Sequence, residues 1–196
     1  MALIGYPTKA KKTTQKKTVM YNNRGMRLEE ELNTANEYYR ASNIAVIHKK
    51  PTPIQIVKVD YPKRSAAKIT EAYFRTPSTT DYNGIYKGRY IDFEAKQTNN
   101  KTALPLQNFY EHQIEHMQAV LLAGGICFII IHFTQHNETF LIDAQHVIEI
   151  WQQSKSDGRK SISYQFSQMH GHKIDTTTFP TLNYIDIIDK FYLGGE

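Results

Sequence analysis

The sequence predicts an α/β protein: a mixed β-sheet flanked by helices, with a β-hairpin-like stalk projecting from it. Three observations lead there. Helical and strand-like stretches alternate along the chain in the order α-β-β-β-β-α-β-β-α-β-α, which calls for a sheet with helices packed on it. The run ICFIIIHF, Ile126–Phe133, is almost continuously apolar, as a strand buried on both faces has to be. A third stretch, IQIVKVDYP followed by PKRSAAK and ITEAYFR, has strand-like alternation but interleaves cations with aromatics, as expected of a hairpin that leaves the body over residues 54–76.

The elements follow in order. Residues 1–20, rich in Lys and Thr and poor in apolar groups, predict a flexible arm. Leu28, Leu32, Ala35 and Tyr39 recur at helical spacing and predict a helix from about 25 to 41, with Asn23 as its N-cap. NIAVIHKK predicts a first strand, Ile44–Lys49. After the stalk, DYNGIYKGRYIDFEAKQT continues the sheet, with turns expected at Asn83-Gly84 and Lys87-Gly88. Pro105–Ala123 predicts a second helix, stopped by Gly124-Gly125, on which Phe109, Tyr110, Ile114, Met117, Val120 and Leu121 share one arc. ETFLIDA predicts a strand, DAQHVIEIWQQ a helix capped by Asp143, SISYQF a strand, and LNYIDIIDKFYLGG a last helix ended by Gly194.

Composition narrows the class. The chain has 196 residues, which suits one domain over 21–196, large enough to bury a core, behind the arm of residues 1–20. One cysteine, Cys127, excludes a disulfide framework and a thiolate zinc site, and points to a reducing, cytoplasmic setting. The most apolar stretch, Ala119–Phe133, is broken by glycines and falls short of the roughly 20 residues of a membrane span. The net charge of +5 is concentrated at the start: Lys9, Lys11, Lys12, Lys16, Lys17 and Arg24 face no acid in residues 1–24, while the rest carries 18 basic and 19 acidic groups. Such an arm suits nucleic acid, and equally a solubilising tail. The stalk repeats the signal: Lys58, Lys63, Arg64, Lys68 and Arg75 are placed to meet phosphates, and Tyr61, Tyr73 and Phe74 to stack on bases.

The chemistry centres on RYIDFEAKQT, Arg89–Thr98. Alternation along a strand sends Ile91, Phe93 and Ala95 one way and Asp92, Glu94 and Lys96 the other. A hairpin turn within GIYKG returns Asp81 to the side of Glu94, so that two carboxylates can share a hard divalent cation, with Lys96 beside them to stabilise developing negative charge. Thr79 offers a hydroxyl or carbonyl two residues before Asp81. Gln113 lies within the apolar arc of the second helix, where a buried amide needs a partner: a backbone group, or the metal and its water.

Several long stretches resemble one family. NRGMRLEEELN, VDYPKRSAA, EAYFRTPSTTD, PSTTDYNGIYKGRYIDFEAKQT and NFYEHQIEHM are similar to RecU, the Holliday-junction resolvases of low-GC Gram-positive bacteria, and the similarity runs from residue 20 to the end. It implies a restriction-endonuclease-like fold with a PD-(D/E)xK site, Mg²⁺ (Mn²⁺ substituting) at Thr79, Asp81, Glu94 and Gln113, and Lys96 as the transition-state stabiliser. It further implies a catalytic acid at Glu29, a stalk entering the junction centre with Arg64 and Phe74 as contacts, a homodimer, and recombinase and branch-migration proteins as partners. The chain departs from the superfamily motif in having Thr80, not Pro, before Asp81.

Two other classes have a foothold. HQIEH, His112–His116, fits the H-x-x-E-H pattern of zinc proteases, with the two histidines one turn apart on a helix. A DNA-binding module without catalysis would use the arm and stalk equally well, and leaves Asp81, Glu94 and Lys96 unexplained.

Overall fold

The computed structural model describes residues 26–75 and 79–194. Its elements are α1 (Met26–Ala41), β1 (Val46–Lys49), β2 (Ile54–Asp60), β3 (Lys68–Phe74), β4 (Tyr82–Tyr86), β5 (Arg89–Thr98), β6 (Ala103–Pro105), α2 (Glu111–Leu122), β7 (Ile126–Phe133), β8 (Glu138–Asp143), α3 (Ala144–Ser154), β9 (Ser161–Ser163), α4 (Tyr164–His170), β10 (His172–Lys173) and α5 (Ile185–Tyr192). Six strands form the main sheet in the order β1-β4-β5-β7-β8-β10, all neighbours antiparallel except β5 and β7. A parallel pair needs a crossover, and β6 with α2 supplies it.

β7 sits inside the sheet and all eight of its residues are buried. Its side chains alternate between two cores. Ile126, Phe128 and Ile130 join Ile91 and Phe93 of β5 under α1 and α5, while Cys127, Ile129 and Ile131 face the core roofed by α2 and α3. The α1 stripe Leu28, Leu32, Ala35 and Tyr39 is buried, as its spacing demands. This is the mixed sheet flanked by helices expected from the sequence, and the apolar alternation of β5 points its acids at the α2 side.

Phe93 anchors β5 to the first core. It is fully buried and stacked between Tyr82, 4.7 Å between centroids, and Phe128, 4.9 Å. Phe93→Ala should therefore cost about 3–5 kcal/mol of unfolding free energy in a urea titration, a large share of the 5–15 kcal/mol typical of a domain. A loss below about 1 kcal/mol would contradict this packing.

The stalk is a separate two-stranded sheet, β2 with β3, joined by a 3₁₀ turn at Arg64–Ala66. Every residue of both strands is exposed. Phe74, 84% exposed, is the extreme case, beside Tyr73 and Tyr61. Lys58, Lys63 and Lys68 are exposed as well, and Arg75 is held at the root of β3 by Gln55, whose Oε1 accepts from Arg75 Nε at 3.2 Å and from Nη2 at 3.0 Å.

Several boundaries depart from expectation. The second helix starts at Glu111, because residues 103–105 pair with β9 and 106–108 form a 3₁₀ turn; of its expected arc, Phe109 and Tyr110 precede the helix and Tyr110 is largely exposed. SISYQF is a strand only to Ser163, whose hydroxyl accepts from Phe166 N and caps α4. The first strand begins at Val46, since Ile44 N and Ala45 N still bond to Tyr39 O. Asn83-Gly84 is no turn: both lie within β4, and a Cβ on Gly84 would stand 2.0 Å from Val46 O, so glycine here allows close strand approach. Lys87 and Gly88, with φ of 46° and 73°, do make the turn. The basic arm residues Lys9, Lys11, Lys12, Lys16, Lys17 and Arg24, and the cap Asn23, lie outside the described residues. Among those described, no helix is long and apolar enough to cross a membrane.

Candidate active site

The β4–β5 hairpin brings the two acids together. Its two-residue turn needs positive φ at both positions, which Lys87 and Gly88 supply. Pairing then runs from Tyr86–Arg89 to Tyr82–Phe93, so the residue ahead of Tyr82 comes level with Glu94. Asp81 is pinned there twice: its Oδ2 accepts from Ala95 N at 3.1 Å, and its carbonyl accepts from Lys50 N at 2.7 Å.

Glu94 is 1% exposed, so the polar face of β5 is not a solvent face: α2 covers it. Gln113, also buried, joins the two elements. Its Oε1 accepts from Tyr110 N at 3.1 Å, satisfying the first turn of α2, and its Nε2 donates to Glu94 Oε1 at 2.7 Å. Lys96 Nζ donates to the same oxygen at 2.5 Å while lying over the Phe109 ring at 5.3 Å. Glu94 Oε2 is buried with no hydrogen-bond partner among the described residues. Burial, and then the charge of Asp81, push the Glu94 carboxyl up to about 7, with Lys96 and Gln113 pulling it back.

In front of these groups lies a cleft of about 320 Å³, whose lining includes Glu29, Lys49, Lys50, Thr79, Thr80, Asp81, Tyr110, His112 and Gln113. Thr79 is thus at the rim with Asp81. Glu29 enters from α1 and is hydrogen-bonded by Lys49 Nζ. Both Glu29 and Asp81 raise the pKa of the Tyr82 hydroxyl after the larger effect of burial. All four expected metal positions, Lys96 and Glu29 are therefore local to one place.

Asp92 has a different office. It is fully buried and receives Lys50 Nζ at 2.7 Å, Tyr90 Oη at 2.8 Å and the Thr80 hydroxyl. Burial alone would raise its pKa, but the bonds from Lys50 and Thr80 more than offset that and hold it below the ordinary carboxylate range. Lys50 also donates to Thr80 Oγ1 at 3.0 Å, so Asp92 ties down the residues on either side of the Asp81 anchor. Sequence reasoning met Thr80 only as a departure from the superfamily motif, and passed over Lys50 and Tyr90. The available signal was that a carboxylate on a core strand needs donors.

The two histidines of HQIEH have separate neighbours. His112 stacks on Tyr110, 5.4 Å between centroids, in the cleft wall; His116 Nε2 lies 3.2 Å from Asp92 Oδ2, without hydrogen-bond alignment. Among the described residues no three His, Cys, Asp or Glu side chains gather as a metal site. Asp81 and Glu94 do form a two-carboxylate oxygen set, and the unpartnered Glu94 Oε2 is what a hard cation would satisfy; Thr79 and Gln113 line the same cleft, Gln113 with its Nε2 on Glu94.

A mixed sheet gathers two acids and a lysine beneath a cleft, the arrangement of a candidate active site. Comparison with known proteins narrows this to a family: the family model described as Recombination protein U (RecU) matches residues 23–190, and the chain belongs to that family. A Geobacillus sp. (strain WCH70) protein named Holliday junction resolvase RecU is 62% identical over 174 residues, 89% of this chain and 87% of that one. A Bacillus cytotoxicus protein of the same name is 59% identical over 193 residues, 98% and 94% of the two chains. Among solved structures, the Holliday junction resolvase Hjc of Archaeoglobus fulgidus is similar over 75% of this chain and 93% of its own, with 11% identity and a TM-score of 0.43.

The pKa of Glu94 links metal, pH and stability. A carboxyl raised to about 7 in the fold favours folding while it is protonated, and that contribution is lost as pH rises through 7. A divalent cation binds only the ionised form, so its stabilisation runs the other way. The rise in melting temperature on adding Mg²⁺ should be larger at pH 8 than at pH 6; an equal or larger rise at pH 6 would rule out Glu94 as a ligand.

Proposed function

We propose that this chain is a Mg²⁺-dependent, structure-selective endodeoxyribonuclease that resolves Holliday junctions by paired symmetric nicks in homologous recombination and DNA repair. The observation that carries the proposal is Asp81 held beside a buried Glu94 with one unsatisfied oxygen, and Lys96 on that same carboxylate. Membership of the RecU family and relatives named Holliday junction resolvase support the junction as substrate.

In this reading Asp81 and Glu94 hold the cation, and Thr79 and Gln113 complete or orient its surroundings. Bound there, a divalent cation supplies Lewis-acid stabilisation of the phosphodiester and lowers the pKa of a water. The protein's share is positioning. Ala95 N and Lys50 N keep Asp81 in register, and Gln113 aims Glu94. Lys96, paired with Glu94 and 18% exposed at the side chain, is the group that would face the phosphate's developing negative charge. Glu29, with Lys49 on it, lines the cleft as a supporting acid. Mn²⁺ is expected to substitute, its ligand preferences being similar.

The stalk cations Lys58, Lys63, Arg64, Lys68 and Arg75, the exposed Phe74 and the basic arm suit them to hold and shape the junction. A homodimer presents two sites about a two-fold axis, matching the near two-fold symmetry of a four-way junction. We place it in the cytoplasm, working with recombinase and branch-migration proteins. The zinc-protease reading has no support from the separate surroundings of His112 and His116.

The experiment is cleavage of a labelled four-way junction beside linear duplex, with Mg²⁺ and with EDTA. Cutting confined to the junction, in two symmetric nicks and only with the cation, is expected. Equal cutting of linear duplex, or cutting in EDTA, would defeat the proposal.

A further inference from the structure

The α2 wall of the cleft continues into a second surface. Between Leu106 and Gln113 the chain makes four attachments: Gln113 bonds Glu94, Phe109 underlies Lys96, Glu111 takes Lys155 Nζ at 2.5 Å, and Leu106 N donates to Lys160 O at 3.0 Å. The loop from α3 to β9, residues 155–160, is therefore fastened to the segment that carries the candidate site.

That loop is built rather than slack. Ser156 N and Gly158 N both donate to Gln153 O, at 3.2 and 3.0 Å, and Ser154 Oγ donates to Trp151 O at 2.7 Å. A Cβ on Gly158 would stand 2.4 Å from Gln153 O, so the bend depends on glycine. On this frame Arg159 and Lys160 are exposed, and among the described residues neither side chain makes a hydrogen bond or ion pair. Beside them runs a groove of about 280 Å³ lined by Pro105, Leu106, Gln107, Trp151, Ser154 and Lys160. Trp151 is the chain's one tryptophan.

Beyond the arm the chain is close to charge-balanced, which makes two exposed, unpaired cations on one bend beside the site a local basic patch. The stalk's roots, Pro53 and Thr79, line the cleft with α1 and β1 residues, whereas the new strip extends from the α2 wall. We propose that Arg159 and Lys160, with the Trp151 groove, hold the sugar–phosphate backbone of a duplex arm that leaves the cleft on the α2 side. This rests on the nuclease reading and adds a surface to it. The loop's own acid is the exposed Asp157, against Arg159 and Lys160, and Glu111 on the neighbouring α2 turn is paired with Lys155, so the strip carries a net positive charge that suits phosphates.

The test uses the full chain, a synthetic four-way junction and EDTA. Arg159→Ala/Lys160→Ala should raise the junction Kd about 10-fold near 0.15 M salt, and lower the slope of log affinity against log salt by about two, one per lost phosphate contact. Trp151 emission should change as the wild-type protein is titrated with junction. Arg159→Gln/Lys160→Gln should behave alike, with melting temperatures near wild type because both residues are exposed and neither side chain makes a hydrogen bond or ion pair among the described residues. An unchanged Kd and slope overturn the inference, including the case where the double variant loses affinity only for a protein partner. If wild type neither binds nor cuts the junction, the nuclease reading has failed; if it does both and the double variants bind as well, only the strip has.

Discussion

Replacing Asp81 by Asn is expected to slow junction cutting by about 10³-fold, the equivalent of about 4 kcal/mol of transition-state stabilisation, while junction affinity stays the same or tightens. The reason is local. Asparagine can still accept from Ala95 N through its carbonyl oxygen, and the Lys50 N bond to the main-chain oxygen of residue 81 is untouched, so the hairpin keeps its register. What disappears is one of two carboxylate charges. A catalytically silent binding module would show no change in any nuclease assay, and a contaminating nuclease would cut equally with both proteins. Single-turnover cleavage with saturating junction, beside a binding titration in EDTA, separates these cases. Cutting at the wild-type rate would show that Asp81 belongs to no metal site.

Lys96→Met should cost about 10²–10³-fold in single-turnover rate and also move the pH profile to the alkaline side. Methionine keeps the stem over Phe109 but removes the ammonium that bonds Glu94 Oε1. Lys96 is one of the groups holding the Glu94 carboxyl down against burial and Asp81, so without it that carboxyl must rise beyond about 7. The ionised form that a cation needs then appears only at higher pH. Lys96→Arg restores the charge but not the point-like ammonium, and should recover the pH profile more fully than the rate. A rate loss in Lys96→Met with an unshifted profile would mean that the lysine acts on the substrate alone and that its bond to Glu94 is incidental.

Period-2 alternation is a property of the backbone, so the division of β5 into Ile91 and Phe93 on one side and Asp92, Glu94 and Lys96 on the other could be read from the letters. The same holds for the Lys87-Gly88 turn, because only a tight hairpin uses positive φ at consecutive positions. It holds for Asp143, whose carboxylate caps α3 by accepting from Gln145 N at 2.7 Å. Where the letters misled, a distant partner had overridden a local preference. Asn83-Gly84 carries a turn signature, yet β1 needs a glycine beneath it. The 103–110 segment carries helical spacing, yet β9 claims its first residues for a strand pair.

The mixed sheet, the exposed hairpin and the candidacy of Asp81, Glu94 and Lys96 were legible in the letters, since these follow from short-range periodicity and from long, specific stretches shared with one family. Only the tertiary structure decided what each polar group does. Three chemically similar acids, Asp81, Asp92 and Glu94, are separated by their surroundings: one pinned at a cleft, one satisfied by Lys50, Tyr90 and Thr80, one buried with an oxygen left over. That sorting depends on donors brought in from outside β5, Lys50 just after β1, Thr80 just before β4 and Gln113 on α2, and burial in a low-dielectric interior is what turns those contacts into differences of charge state.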